Sequence, residues 1–156
     1  MSTFVEFYRI GVFMEKFKDI LRDLIIDDGN KSLRAISKLI NVSAFQLGRF
    51  LKGSMPNIDN AIKISNYFKV SIDYLFGLVN INNFKNLGAK NMNVFVSRYE
   101  TALKENGLTN NAFCKTSTIS ESSLRRWKHG EEPRMESLVE IADKLSTSID
   151  YLIGRF

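Results

Sequence analysis

Apolar residues in this chain recur at intervals of three and four positions, the spacing that places side chains on one face of an α-helix. No apolar run alternates with a period of two, and no hairpin dipeptide joins two apolar runs. The pattern therefore predicts helices throughout. The two clearest stripes are Phe17, Leu21, Leu24 and Ile25 in the first half, and Phe95, Tyr99, Ala102 and Leu103 in the second.

Each half carries four shorter helices after its stripe, which makes five helices per half. Ser or Thr stands at most of the expected N-caps, where its oxygen can accept a hydrogen bond from a free backbone N–H. The helices are expected at 33–40, 43–52, from Ile58 and from Ser71 in the first half, and at 110–117, 120–129, from Met135 and from Ser148 in the second. The caps are Ser32, Ser43, Ser71, Thr109, Ser120 and Ser148.

The two halves are copies of one another. When the chain is shifted by 77 positions, residues 32–77 lie on residues 109–154 without a gap, and 14 of the 46 pairs are identical. A period of this length exceeds that of solenoid repeats and suits a small domain. We therefore predict an N-terminal extension (1–13), a first domain (14–78), a linker (79–92) and a second domain (93–156).

Two segments lie outside the copies. The linker is rich in asparagine around Gly88, a composition typical of loops. Residues 1–13 are rich in Phe, Tyr and Val. They fit either a helix or strand packed on the body of the protein, or a self-association element, and both alternatives stay open.

Composition removes several classes of protein. The chain has 156 residues and a net charge of +5, which favours an anionic partner. No apolar run has the length of a membrane span, and the start lacks the pattern of a secretory signal, so a cytoplasmic protein is expected. One cysteine and one histidine can form neither an internal disulfide nor a zinc site. No catalytic constellation or phosphate loop stands out, so we expect no enzyme, metal or cofactor.

The second helix, the turn and the third helix of each half share a further pattern. It consists of an apolar and a small residue, an apolar residue before Ser, then Leu, an aromatic residue, Gly and Pro. In the first half these are Ile36-Ser37, Val42-Ser43, Leu47, Phe50, Gly53 and Pro56, and in the second Phe113-Cys114, Ile119-Ser120, Leu124, Trp127, Gly130 and Pro133.

With the shared ending S-I-D-Y-L-x-G, this pattern resembles the phage-repressor and Cro (Xre-type) helix-turn-helix family. The resemblance implies an all-α fold of two tandem five-helix lambda-repressor-like domains that bind double-stranded DNA. In such proteins the third helix enters the major groove, and the start of the second helix contacts phosphates. Two such helices in one chain are expected to reach successive major grooves.

Family position places Glu121, Ser122 and Arg126 at base edges in the second copy. Leu124 and Trp127 are expected to face inward. Arg126 suits a paired contact to guanine, whereas Glu121 either accepts from cytosine or repels phosphate. The residues left for the outer face of this helix are Glu121, Ser122, Ser123, Arg125, Arg126 and Lys128.

The first copy departs from this polar pattern, because the matching positions are Ala44, Phe45 and Arg49, with Gln46 beside them. Phe45 either presses on a thymine methyl group or packs in a copy that no longer reads DNA. The remaining residues expected to contact DNA are Ser32, Lys38, Ser43, Lys52, Thr109, Asn110, Asn111 and Ser120.

Charge also separates the copies. Residues 31–69 hold seven basic residues and one acidic residue, a net charge of +6, whereas residues 108–147 hold six of each. The first copy therefore suits phosphate binding and the second suits base reading. Other notable side chains have structural explanations: Cys114 is expected to be a packed thiol, His129 a helix cap or phosphate contact, and Trp127 and Phe50 core residues.

These patterns predict a sequence-specific DNA-binding transcriptional repressor. One alternative is an antitoxin, or a phage-type or restriction-type controller, with the same DNA chemistry. Another is that one or both copies are modules for protein interaction or dimerisation, with Ala44 and Phe45 on an apolar contact surface. A homodimer and an unidentified protein partner are compatible with the sequence. A buried Phe45, with Arg49, Lys52, Arg126 and Lys128 on separate faces, would favour the interaction alternative.

Overall fold

A computed structural model describes the backbone of residues 2–156 and the side chains of residues 9–156. Within that part of the chain all regular structure is helical and no strand is present. This confirms the predicted all-α fold with five helices per half. The helices are α1 (Ser2–Asp27), α2 (Leu33–Ile40), α3 (Ala44–Phe50), α4 (Ile58–Phe68), α5 (Ile72–Leu75), α6 (Phe95–Glu105), α7 (Asn110–Lys115), α8 (Glu121–Lys128), α9 (Met135–Leu145) and α10 (Ile149–Leu152).

The chain forms two compact units, which we call the first unit (Val12–Asn86) and the second unit (Leu87–Phe156 with Met1–Gly11). Helix α1 begins at Ser2, so the described part of the N-terminal extension is helical rather than extended. Within the second unit, Arg9 forms an ion pair with Asp143 at 2.6 Å. Met1 lies outside the described residues, and the self-association role of this extension stays a prediction.

The core of the first unit is built around Phe17 of α1, which is fully buried. Its ring stacks on Phe76 at a centroid distance of 4.9 Å and meets the edge of Phe50 at 6.1 Å. Leu21, one turn further along α1, is also fully buried. Aromatic pairs of this kind stabilise a core beyond the area that they bury. Phe50 therefore anchors α3 to the first helix of its unit.

The second unit repeats this arrangement with larger rings. Trp127 of α8 meets Phe95 at 5.2 Å and Tyr99 at 5.6 Å, both edge to face. Phe95 and Tyr99 lie 78 positions after Phe17 and Leu21. The third helix of each unit is thus attached to the first by an equivalent aromatic contact, and the expectation that Phe50 and Trp127 are core residues is confirmed.

Three helix ends differ from the sequence-based expectation. Helix α3 ends at Phe50, with Leu51 as C-cap, and the chain then turns through Gly53 at a φ of 104°. Helix α7 ends at Lys115 rather than at 117. The Ser117 hydroxyl accepts a hydrogen bond from the Ile119 N–H at 3.2 Å, and this local bond competes with a further helical turn. Helix α8 ends at Lys128, one residue before the predicted end.

Candidate nucleic-acid interface

The second helix of each unit begins at a hydroxyl cap, as predicted. The Ser32 Oγ accepts from the Ala35 N–H at 3.2 Å, and the Thr109 Oγ1 accepts from the Ala112 N–H at 3.1 Å. Both cap residues are exposed, as are Lys38 and Asn111 on the same two helices. The free N–H groups at such a helix start suit a phosphate oxygen.

Asn110 differs from its predicted role at the DNA surface. It is half-buried, and its Oδ1 accepts a hydrogen bond from the Tyr99 hydroxyl at 2.8 Å. The Cys114 Sγ donates to the same oxygen at 3.7 Å. Burial raises the pKa of both the Tyr99 phenol and the Cys114 thiol, so both groups keep their protons at neutral pH. Asn110 thus serves the interior of the second unit.

Helix α3 is held at its start by a reciprocal contact. The Ser43 Oγ accepts from the Gln46 N–H at 3.1 Å and lies 3.3 Å from the Gln46 Oε1, to which it donates. This confirms Ser43 as the N-cap. The turn before it contains Asn41 in the left-handed region, and the Lys63 ammonium donates to the Asn41 carbonyl at 3.1 Å.

The outer face of α3 carries one aromatic and several polar groups. Phe45 is 75% exposed, whereas Leu47 and Phe50 of the same helix are buried. Gln46 and Arg49 are exposed, and so is Lys52 in the following turn. Ala44 is half-buried, so it contributes less to this face than predicted. Neither Arg49 nor Lys52 forms an ion pair with any residue whose side chain is described.

The outer face of α8 is polar, with one correction. Glu121, Ser122, Arg125, Arg126 and Lys128 are exposed, as predicted for this helix. Ser123 was expected on the same face, but it is 7% exposed. It lies one helical turn before Trp127 and therefore shares the inward face of that ring.

Two further expectations for α8 are met only in part. Ser120 occupies the N-cap position but caps no backbone N–H, because its hydroxyl is bonded to the Ser122 and Ser123 hydroxyls at 2.9 and 3.1 Å. Leu124 is half-buried, although its counterpart Leu47 is fully buried. Leu124 instead borders an open groove, together with Leu103 and Leu108.

Most charged groups on α8 already have partners inside the second unit. The Arg126 guanidinium lies 3.2 Å from the Glu131 carboxylate and 3.3 Å from the Ser122 hydroxyl. Lys128 pairs with Glu100 of α6 at 3.2 Å. Among the exposed basic residues of this helix, Arg125 alone has no described ion pair.

Glu121, at the start of α8, is bound from the preceding helix. The Asn111 amide donates to the Glu121 carboxylate. Both side chains are exposed, and the two helices of the motif are thereby joined at their N-terminal ends. The bond leaves Glu121 fewer free acceptor positions for a cytosine amino group.

Sequence reasoning missed the residues that hold the turn of each helix-turn-helix from the fourth helix. In the second unit, Glu140 of α9 is 3% exposed and accepts from the Thr118 N–H at 2.8 Å and the Thr118 hydroxyl at 2.5 Å. Glu140 lies 77 positions after Lys63, and Thr118 lies 77 positions after Asn41. The two units therefore use opposite charges at one equivalent contact. The sequence did hold an indication of these contacts, because Lys63 and Glu140 are charged residues within the apolar stripe of the fourth helix.

No group of histidine, cysteine or acidic side chains able to hold a metal ion is present in the described residues. No helix among them has the length and apolar character needed to cross a membrane. Each unit presents a candidate nucleic-acid surface, which consists of the exposed polar and basic groups of α3 in the first unit and of α8 in the second.

Comparison with known proteins supports this assignment. A helix-turn-helix family model matches the chain twice, over residues 21–75 and over residues 97–152. Searches of curated proteins and of solved structures found no match. The two family matches indicate a sequence-specific regulator that binds double-stranded DNA. The chain belongs to the helix-turn-helix family of the phage-repressor and Cro (Xre) type, and it carries two tandem copies of the family's domain.

Proposed function

We propose that this protein is a transcriptional repressor that reads double-stranded DNA with α3 and α8. The observation that carries the proposal is the same in both units: one aromatic residue of the third helix, Phe50 or Trp127, is buried, while the opposite face of the helix is exposed and carries basic and polar side chains. A recognition helix needs this division, because one face holds the fold and the other meets base edges. Occupying a promoter would then exclude RNA polymerase.

Arg49 and Arg126 are the proposed base-reading arginines. Each lies one helical turn after a residue near the start of its helix, Phe45 in the first unit and Ser122 in the second. The Ser122–Arg126 contact supports the view that these two positions share one face. A bidentate arginine contact to guanine contributes about 1–3 kcal/mol of discrimination.

Phosphate contacts are assigned chiefly to the first unit. Its excess of basic residues over 31–69 amounts to +6, and Lys38 and Lys52 are exposed there. Each phosphate neutralised by a basic side chain adds about 0.9 to the slope of log affinity against log salt concentration. Exposed Ser32, Thr109 and Asn111 complete the phosphate surface at the starts of α2 and α7.

The test is selection of binding sites from a random duplex pool with the full chain, at two salt concentrations. We expect one selected site with steeply salt-dependent affinity, weakened about tenfold or more by Arg49→Ala. Repression is then measured by transcription in vitro from a promoter that overlaps the selected site. Retention of all sequences alike would contradict sequence-specific reading, and transcription unchanged at saturating protein would contradict repression.

A second candidate assigns DNA reading to the first unit and protein contact to the second. The pairing of Arg126 with Glu131 and of Lys128 with Glu100 favours it, because bases already neutralised attract phosphate less. Under this alternative, Arg126→Ala leaves both the selected sequence and its affinity unchanged. Loss of specificity at one base pair in that variant would reject it.

A further inference from the structure

The outer faces of α3 and α8 differ although their helices are equivalent. At an offset of 77, Phe45 is matched by Ser122, and Ala44 by Glu121, while Arg49 and Arg126 agree. We propose that the operator is asymmetric, and that Phe45 binds the 5-methyl group of a thymine in the half-site read by the first unit. This inference rests on the proposed function and adds the base chemistry that it recognises.

Phe45 does not hold the fold of its unit. Its side chain is 75% exposed, whereas the two apolar residues that follow on α3, Leu47 and Phe50, are 0% and 5% exposed. The sequence left a packing role open for Phe45, and this exposure contradicts it within the unit. An aromatic ring that remains in water on the outer face of a helix keeps its apolar area available for a partner.

The position of Phe45 is the one that base reading requires. Ser43 is the N-cap of α3, so Phe45 is the second residue of the helix. The N-terminal residues of a recognition helix are those that contact base edges in the major groove. Both ends of α3 are fixed, by the Ser43–Gln46 hydrogen bonds and by the edge contact of Phe50 with Phe17.

The surroundings of Phe45 favour DNA over an apolar protein surface. Arg49 follows one turn later and Lys52 lies in the next turn, and both are exposed without an ion pair in the part of the unit whose side chains are described. An apolar partner would have to desolvate these cations, whereas DNA offers the guanine that Arg49 is proposed to read and a phosphate for Lys52. The thymine methyl group is the apolar feature that the major groove presents, and phenylalanine is one of the side chains that contacts it.

The second unit has no aromatic residue at the position that matches Phe45, where Ser122 stands instead. Ser122 offers a hydroxyl, which exchanges hydrogen bonds with either kind of base pair. It lies within hydrogen-bonding distance of the Ser120 hydroxyl and the Arg126 guanidinium. A homodimer presents two identical helices and reads a palindrome. Two different helices in one chain instead specify two different half-sites.

The experiment uses the full chain and the duplex selected from a random pool. Each thymine is replaced in turn by deoxyuridine, which removes the methyl group and leaves base pairing intact. We expect a non-palindromic site with one thymine where the replacement weakens binding about fourfold, the contribution of one buried methyl group. In the Phe45→Ala variant the same replacement should have no effect. Ile81→Ala is the matched control, because Ile81 is 79% exposed but lies outside the recognition helices; it should bind like the wild type and keep the fourfold effect.

The possible results distinguish a failure of the methyl contact from a failure of the proposed function. If no site is selected, the proposed function fails and this inference fails with it. If a site is selected but no thymine is sensitive, or if Phe45→Ala keeps the sensitivity, the methyl contact is wrong and DNA reading stands. A palindromic selected site overturns the asymmetry. The deoxyuridine effect is measured on the unaltered protein, so the absence of a sensitive thymine overturns the methyl contact even if Phe45→Ala fails to fold.

Discussion

The two units share one arrangement of helices, but they differ in whether the basic side chains near the third helix already form ion pairs. In the first unit, Arg49 and Lys52 project from α3 and its following turn without an ion pair in the described structure. In the second, Arg126 and Lys128 project from the equivalent helix but pair with Glu131 and Glu100. The aromatic contact that holds the third helix is retained in both. A duplicated domain therefore preserves the contacts that orient the helix, while the groups on its outer face diverge.

The same contrast appears at the helix-turn-helix turn. Lys63 donates to a backbone carbonyl in the first unit, whereas buried Glu140 accepts from a backbone N–H and a hydroxyl in the second. Loss of a hydrogen-bond partner costs more folding free energy when the polar group left behind is buried than when it is exposed. We therefore expect the second unit to depend more strongly on its fourth helix than the first unit does.

The largest effect is expected from removing the aromatic anchors. Phe50→Ala and Trp127→Ala should each lower the free energy of unfolding by about 3–5 kcal/mol, because each leaves a cavity beside the first helix of its unit. Urea denaturation of the full chain measures this. Phe45→Ala is the matched control and should change stability by less than about 0.5 kcal/mol, as an exposed substitution. Similar losses for all three variants would contradict the assigned core.

The next effect concerns the turn. Glu140→Met should lower the free energy of unfolding by about 1–3 kcal/mol, because the N–H and the hydroxyl of half-buried Thr118 lose their acceptor. Lys63→Met, at the equivalent position, should cost about 0.5–1.5 kcal/mol, since it removes one ordinary hydrogen bond to a carbonyl. Thermal unfolding of both variants gives the comparison. If Lys63→Met proved the more damaging change, the ranking of the two contacts would be reversed.

Arg49 and Arg126 are expected to contribute unequally to DNA affinity. Arg49→Ala should weaken binding to the selected site about tenfold or more, and Arg126→Ala should weaken it less, because Arg126 must first leave Glu131. Titration of labelled duplex with each full-length variant measures the two losses. Arg22→Ala is a control on the exposed surface of α1, where Arg22 pairs with Asp19 at 3.2 Å. Equal losses at both arginines would show that the internal pair has no influence.

The smallest effect is expected from releasing the paired bases. Glu131→Gln and Glu100→Gln should each strengthen DNA binding about two- to threefold at low salt, because exposed ion pairs contribute only about 0.2–1 kcal/mol. The gain should shrink as salt is raised, since screening weakens such pairs. Glu105→Gln on α6, which has no described partner, is the matched control. A gain of equal size in the control would assign the effect to net charge alone.

Much of the fold could be predicted from residues that lie close together in the sequence. The N-caps Ser32, Ser43 and Thr109 are recognisable because their hydroxyls act on backbone groups three residues away. The stripe that contains Phe17 and Leu21 marks a buried helix face, because side chains at this spacing leave water together. Asn110 was misplaced because its burial depends on Tyr99, which lies on another helix. Ser123 precedes Trp127 by four positions on the same helix, so the helical spacing already indicated its inward face.

The sequence by itself determined the repeat, the helical fold and which helices, α3 and α8, present an exposed outer face. These follow from spacing within the chain, which acts over a few residues or over the fixed offset of 77. Only the tertiary structure decided which polar groups are already bound. Glu100, Glu131 and Glu140 approach their partners across turns and neighbouring helices, and such ion pairs and hydrogen bonds act at about 3 Å, a distance that sequence separation does not reveal.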